Sequence, residues 1–215
     1  AALLSFLASR FQPRFALIAT VAVTLVFVPI TWARNHQWGD EIRLLEHDFS
    51  VMQQNGQLMF ALVRAHANRD NELRALELCE HHADLANRLP PVANECAQAA
   101  QQLRRFEQAE AYFLESLARK SSDARTHFLL ARLYIDMDRR SDAQTHYRQA
   151  IDRERIPYLR EFFSGMMLVD LYPYHPERLD EARRHLQNAL LLQPRFIQAR
   201  DVLEQLESRP GAKPQ

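Results

Sequence analysis

Ala75, Ala109 and Ala143 follow one another at a constant interval of thirty-four positions, and four positions after each stands Cys79, Phe113 or Tyr147. Positions i and i+4 share one face of a helix, so each small residue has a bulkier or apolar neighbour one turn along. A fixed interval of this length marks stacked two-helix units, none of which can bury its apolar face alone. A fourth copy, LDEARRHLQNALLLQP (179–194), carries Ala182, Leu186, Ala189 and a terminating Pro194. Ala182 follows Ala143 at five positions more than that interval, which places a five-residue insertion before it.

A partner helix precedes each of these stretches. DARTHFLLARLYIDM (123–137) repeats Leu130, Ala131 and Tyr134 at helical spacing, and VANECAQAAQQL (92–103) has Cys96, Ala97 and Ala100 at the equivalent places. Small residues at these seams let antiparallel helices approach closely, with the large residue one turn away filling the groove. Only four glycines in 215 residues, with abundant Ala, Leu, Arg, Glu and Gln, agree with an almost wholly helical chain.

This spacing of small residues, aromatics and the closing proline resembles the tetratricopeptide repeat over residues 57–207. The match is strongest at 121–153 and 179–194, whereas the first copy has Val63 and His66 where a small residue and an aromatic are expected. The resemblance implies an all-α, right-handed solenoid of about four helix pairs, whose first helices line a concave groove for a protein or peptide partner. The family's groove positions fall on Phe60, Arg64 and Asn68, on Asn94, Gln98 and Gln101, and on Phe128, Arg132 and Ile135. Amides flanked by Arg and Phe suit hydrogen bonding to an extended main chain.

Ahead of the repeats lies FALIATVAVTLVFVPITWA (15–33), a run without a charge. At ~1.5 Å per residue it covers about 28 Å, against ~30 Å of bilayer hydrocarbon. It reads as a transmembrane helix better than as a signal peptide or a buried soluble helix, with Trp32, Arg34 and Trp38 as membrane-interface anchors. Residues 1–14 then form a cytoplasmic segment, or the end of a preceding membrane helix, with Arg10 and Arg14 on the cytoplasmic side. The expected order is this segment, the span at 15–33 in contact with lipid, a juxtamembrane helix at 34–56, the solenoid at 57–207 and a disordered tail at 208–215. That order puts the chain at a bacterial inner membrane with its solenoid in the periplasm. The junction residues Arg34, Asn35, Trp38, Asp40 and Glu41 resemble the joint in multi-pass transmembrane-and-tetratricopeptide O-mannosyltransferase-like proteins. Two functions follow: a membrane-anchored interaction scaffold, or the accessory C-terminal region of a polytopic glycosyltransferase that presents acceptor proteins.

The sequence contains no G-x-S-x-G elbow, no glycine-rich phosphate loop and no H-E-x-x-H, and thus no catalytic, cofactor or metal site is expected. His81 and His82 are adjacent and diverge by about 100° on a helix, which makes a poor metal pair. Lys+Arg and Asp+Glu both number 27, a balance that argues against nucleic-acid binding. Cys79 and Cys96 occupy packing positions of adjacent helices. They are either two small apolar core residues or, in an oxidising compartment, a disulfide between repeats. YPYHP (172–176) is a rigid turn, because its prolines forbid helix, and it displays Tyr172, Tyr174 and His175 at a solenoid edge.

Overall fold

The computed structural model describes residues 21–25, 27–28, 41–119 and 123–208. The chain divides into two compact units, Ala1–Leu58 and Met59–Gln215. In the first, residues 21–25 and 27–28 are helical, and α1 runs over Glu41–Val51 with Phe49 buried. Helix α2, Gly56–Ala67, starts where Asn55 Oδ1 accepts from the N–H groups of Gln57 and Leu58, at 3.0 and 3.2 Å. It continues into the second unit.

The expected membrane architecture is corrected here. Among the described residues no helix is long and apolar enough to cross a membrane. A spanning helix needs about 20 apolar residues, and of the run 15–33 only the short helical stretches at 21–25 and 27–28 are described. A one-span anchored fold is therefore not supported, and the inner-membrane, periplasmic placement that followed from it falls as well. Arg10, Arg14, Trp32, Arg34 and Trp38 lie outside the described residues, as does most of the tail.

The second unit is a succession of helices: α3 (Glu72–His81), α4 (Ala83–Arg88), α5 (Pro90–Gln102), α6 (Phe106–Arg119), α7 (Ala124–Asp136), α8 (Arg140–Arg153), α9 (Pro157–Leu171), α10 (Pro176–Leu192) and α11 (Ile197–Glu207). α5 packs on α6, α7 on α8, and α9 on α10 as helical hairpins; α6 meets α7, α8 meets α9, and α10 meets α11. Each unit thus touches its neighbours in sequence, the nearest-neighbour pattern of a solenoid. The seams are made of the repeating alanines: Ala75, Ala97, Ala109, Ala131, Ala143 and Ala182 are all fully buried.

The turns inside the first three pairs repeat as well. Asp70, Arg104 and Asp138, spaced by the same interval as the alanines, adopt positive φ of 54°, 60° and 55°. The next N–H reaches back to the carbonyl five residues earlier in each: Asn71 to His66 at 3.1 Å, Arg105 to Ala100 at 2.9 Å and Arg139 to Tyr134 at 2.8 Å. These are left-handed helix caps that satisfy the last carbonyls of α2, α5 and α7. No glycine is used, although a side chain in this conformation costs about 1 kcal/mol.

The fourth pair breaks the pattern. Val63, Ala97, Ala131 and Gly165 keep the constant interval through the first helices, so the insertion lies within the fourth pair, between Gly165 and Ala182, and not ahead of it. It is taken up by a turn through Tyr172 and Pro173 and by extra helix at the start of α10, which has 17 residues against 14 in α8. Gly165 is needed where the helices come closest: a Cβ there would meet Leu186 Cγ at 3.0 Å and the Ala182 carbonyl at 3.3 Å.

Candidate functional site

The first helices of three successive pairs converge on one cleft. Its volume is about 250 Å³, and it is lined by Phe60 of α2, by Pro90, Pro91, Asn94 and Glu95 of α5, and by Asp123 and Arg125 at the start of α7. Local sequence places each group. Pro90 and Pro91 open α5, where the missing N–H costs nothing. Asp123 caps α7 by accepting from Thr126 N–H at 3.2 Å.

Behind the cleft lies a buried polar knot. Asn94 Nδ2 donates to Thr126 Oγ1 at 2.8 Å, Thr126 Oγ1 approaches Asn94 Oδ1 at 3.1 Å, and the same hydroxyl contacts the Asp123 carboxylate. Ser116 Oγ donates to the Pro90 carbonyl at 3.4 Å and sits equally far from Thr126 Oγ1. Buried polar groups persist when they are paired in this way, and the pairing fixes α5 against α7.

Glu95 differs. The residue is only 9% exposed, and its ionic neighbour, Arg125, keeps its guanidinium 3.5 Å away with a side chain 60% exposed. Burial raises the Glu95 carboxyl above its ordinary value, and the charges of Arg125 and Arg64 offset only part of that.

The nine groove positions divide into four sets. Phe60 and Asn94 come together in the cleft. Arg64, Asn68 and Arg132 are exposed; the Arg64 guanidinium lies 5.9 Å from the Phe60 ring centre, and Arg132 Nε lies 4.0 Å from Asp170. The remaining amides are occupied within the protein: Gln98 donates to the Asn94 carbonyl at 3.2 Å, and Gln101 to Asp136 at 2.6 Å. Phe128 is buried, stacked on Phe163 with ring centres 4.3 Å apart, and Ile135 packs on the same core. Sequence reasoning missed Glu95, Arg125 and the proline wall. The available signal was a lone carboxylate in the alanine-rich run VANECAQAA, on a helix that has only small or apolar residues to bury around it.

Cys79 and Cys96 form a disulfide with a Cα–Cα distance of 5.9 Å, tying α3 to α5. Among the described residues no group of three or more metal-ligating side chains comes together. His127 Nδ1 lies 3.0 Å from His146 Nδ1, a part-buried contact between α7 and α8. Tyr174 is 89% exposed, whereas Tyr172 is half-buried beside His175 and beneath Arg178.

Residues 124–156 match the family model of the tetratricopeptide repeat. Among solved structures, TTC0263, a tetratricopeptide-repeat protein of Thermus thermophilus, superposes with a TM-score of 0.66 at 17% identity, over 83% of this chain and 95% of that one. A crystal structure of MamA gives 0.54 at 14% identity, over 77% and 94%. MamA from residue 41 onward, from Desulfovibrio magneticus RS-1, gives 0.53 at 15%, over 72% and 85%. No curated protein matches the chain. At such identities the likeness is one of fold, and the fold is an all-helical tetratricopeptide-type solenoid. Neither the family model nor these structures supports the resemblance to O-mannosyltransferase-like joints, of whose residues only Glu41 is among those described.

Proposed function

We propose that this chain is a protein-interaction scaffold that holds an extended segment of a partner against the first helices of its repeats. The observation that carries this reading is the cleft shared by α2, α5 and the start of α7. Solenoids of stacked helix pairs create extended surfaces of this kind, in which each repeat contributes one strip of the contact. A partner chain laid across successive first helices meets Arg64, Phe60, Arg125 and Arg132 in turn. The Gln101 amide links α5 to Asp136 of α7, and that of Gln98 bonds back within α5.

Panning a random peptide display library on the full chain tests the proposal. Selected peptides should lose about tenfold or more in affinity when Pro91→Trp fills the cleft, with the helical circular dichroism unchanged. Selected peptides that bind Pro91→Trp as tightly as the wild type would move the partner site elsewhere.

A further inference from the structure

The cleft's chemistry narrows what enters it. Among the described residues, the carboxylates of Glu95 and Asp123 and the guanidinium of Arg125 line it, with Arg64 beside the Phe60 ring. The two acids are not equivalent: Asp123 serves as the cap of α7, while Glu95 lines the cleft with a 3.5 Å ion-pair contact to Arg125 and a weaker attraction from Arg64. Arg125 reaches Glu95 from the solvent side on a largely exposed stem, so it can swing away without disturbing the fold. The walls are the Phe60 ring and two proline rings. One cation, Arg64, already lies 5.9 Å from the centre of that aromatic ring, the arrangement in which a ring quadrupole attracts positive charge.

Resting on the scaffold reading above, we propose that this cleft is a side-chain subsite for one arginine or lysine of the bound peptide. The ligand's cation replaces Arg125 as the partner of Glu95, and its aliphatic stem lies along Phe60 and the prolines. No bond is made or broken, and Arg125 moves into solvent. The burial that keeps the Glu95 carboxyl above its ordinary range supports this, because a desolvated carboxylate gains more from a close, hydrogen-bonded cation than an exposed one does.

The test is calorimetry of the full chain with capped alanine heptapeptides that carry arginine, lysine, citrulline or glutamate at the centre. Arginine and lysine probes should bind about tenfold tighter than the isosteric neutral citrulline probe, the worth of one charge-assisted hydrogen bond. Glu95→Gln, which preserves shape, should reduce the arginine probe to the citrulline level, and Pro91→Trp should remove binding of all four. Equal binding of arginine and citrulline probes, or tighter binding of the glutamate probe, overturns the cationic subsite; the scaffold reading then stands if Pro91→Trp still abolishes binding. Failure of all four probes to bind overturns the subsite as well. Binding that Pro91→Trp leaves intact overturns both.

Discussion

The joint between the first two repeats and the joint between the last two solve one packing problem by different means. At the position held by Phe113 in the second pair and Tyr147 in the third, the first pair has Cys79, linked to Cys96 of α5 in the second pair. On α5 itself most buried residues are small, Ala93, Cys96, Ala97, Ala99 and Ala100, beside Val92, Asn94 and Glu95. In the third and fourth pairs the interior is ring-rich, with Phe128 stacked on Phe163 and set edge-on to Tyr147, whose hydroxyl donates to Asp170. A solenoid slot asks for volume and a fixed helix spacing, and either a pair of rings or a covalent bridge meets that demand. Where cores are small, a cross-link compensates for missing apolar area.

If the comparison holds, the two joints fail in different ways. The largest effect is expected at the aromatic joint: Tyr147→Ala empties a fully buried site and should cost about 3–5 kcal/mol in urea unfolding, with no change on adding reductant. Replacing Cys79 and Cys96 together by Ala should cost about 3 kcal/mol, from release of a loop with a sequence separation of 17. Reductant should destabilise the wild type by a similar amount and leave that variant unaffected. The two losses should add within about 0.5 kcal/mol, since nearest-neighbour interfaces at separate joints share no contacts. Strong non-additivity in a combined variant would erase the distinction between the joints.

Smaller effects sharpen the picture. Arg104→Gly should stabilise the chain by about 1 kcal/mol, because Arg104 sits at φ 60°. Asp138→Gly should gain less, since aspartate tolerates that conformation better. At the third pair, burial foremost and the charge of His127 next depress the His146 pKa from 6.5. A base with a depressed folded pKa is neutral in both states above pH 6.5 and contributes nothing there. Below it the unfolded chain takes up the proton first, so stability declines as pH falls from about 6.5. Urea midpoints should therefore drop between pH 7.5 and 5.5, and drop less in His146→Gln. Glu95, whose folded pKa is raised, acts in the opposite direction, but equally in both chains, so the difference between them isolates the histidine.

How much of this was legible beforehand depended on the size of the signal. Alanine seams are visible because helix approach tolerates little else, and Ala75, Ala109 and Ala143 could be placed in register from the chain alone. The turn caps were hidden because Asp70, Arg104 and Asp138 stand where glycine would have advertised the left-handed conformation. The insertion was visible only as an offset: Gly165 shows that it belongs to the fourth pair, which spacing between second helices could not decide. The groove was read from family positions; Phe128 is buried among neighbouring rings and Ile135 packs partly buried on the same core, which spacing alone did not reveal. Glu95 went unseen because a single acid on a helix is ordinarily solvated surface, and its ionic neighbour Arg125 lies on the following repeat. The uncharged run at 15–33 suggested a membrane span through length and composition alone, and among the described residues no helix meets that requirement.

The central claim is that the first three pairs repeat one geometry, and a transplanted cross-link tests it most directly. In a chain with Cys79→Ala and Cys96→Ala, the substitutions Phe113→Cys and Leu130→Cys place thiols one full repeat along from the native pair at both ends. Repetition of the 5.9 Å Cα–Cα spacing predicts that these thiols pair in air and that non-reducing peptide mapping finds a single new loop. Two thiols that stay free in the folded, monomeric protein would contradict it.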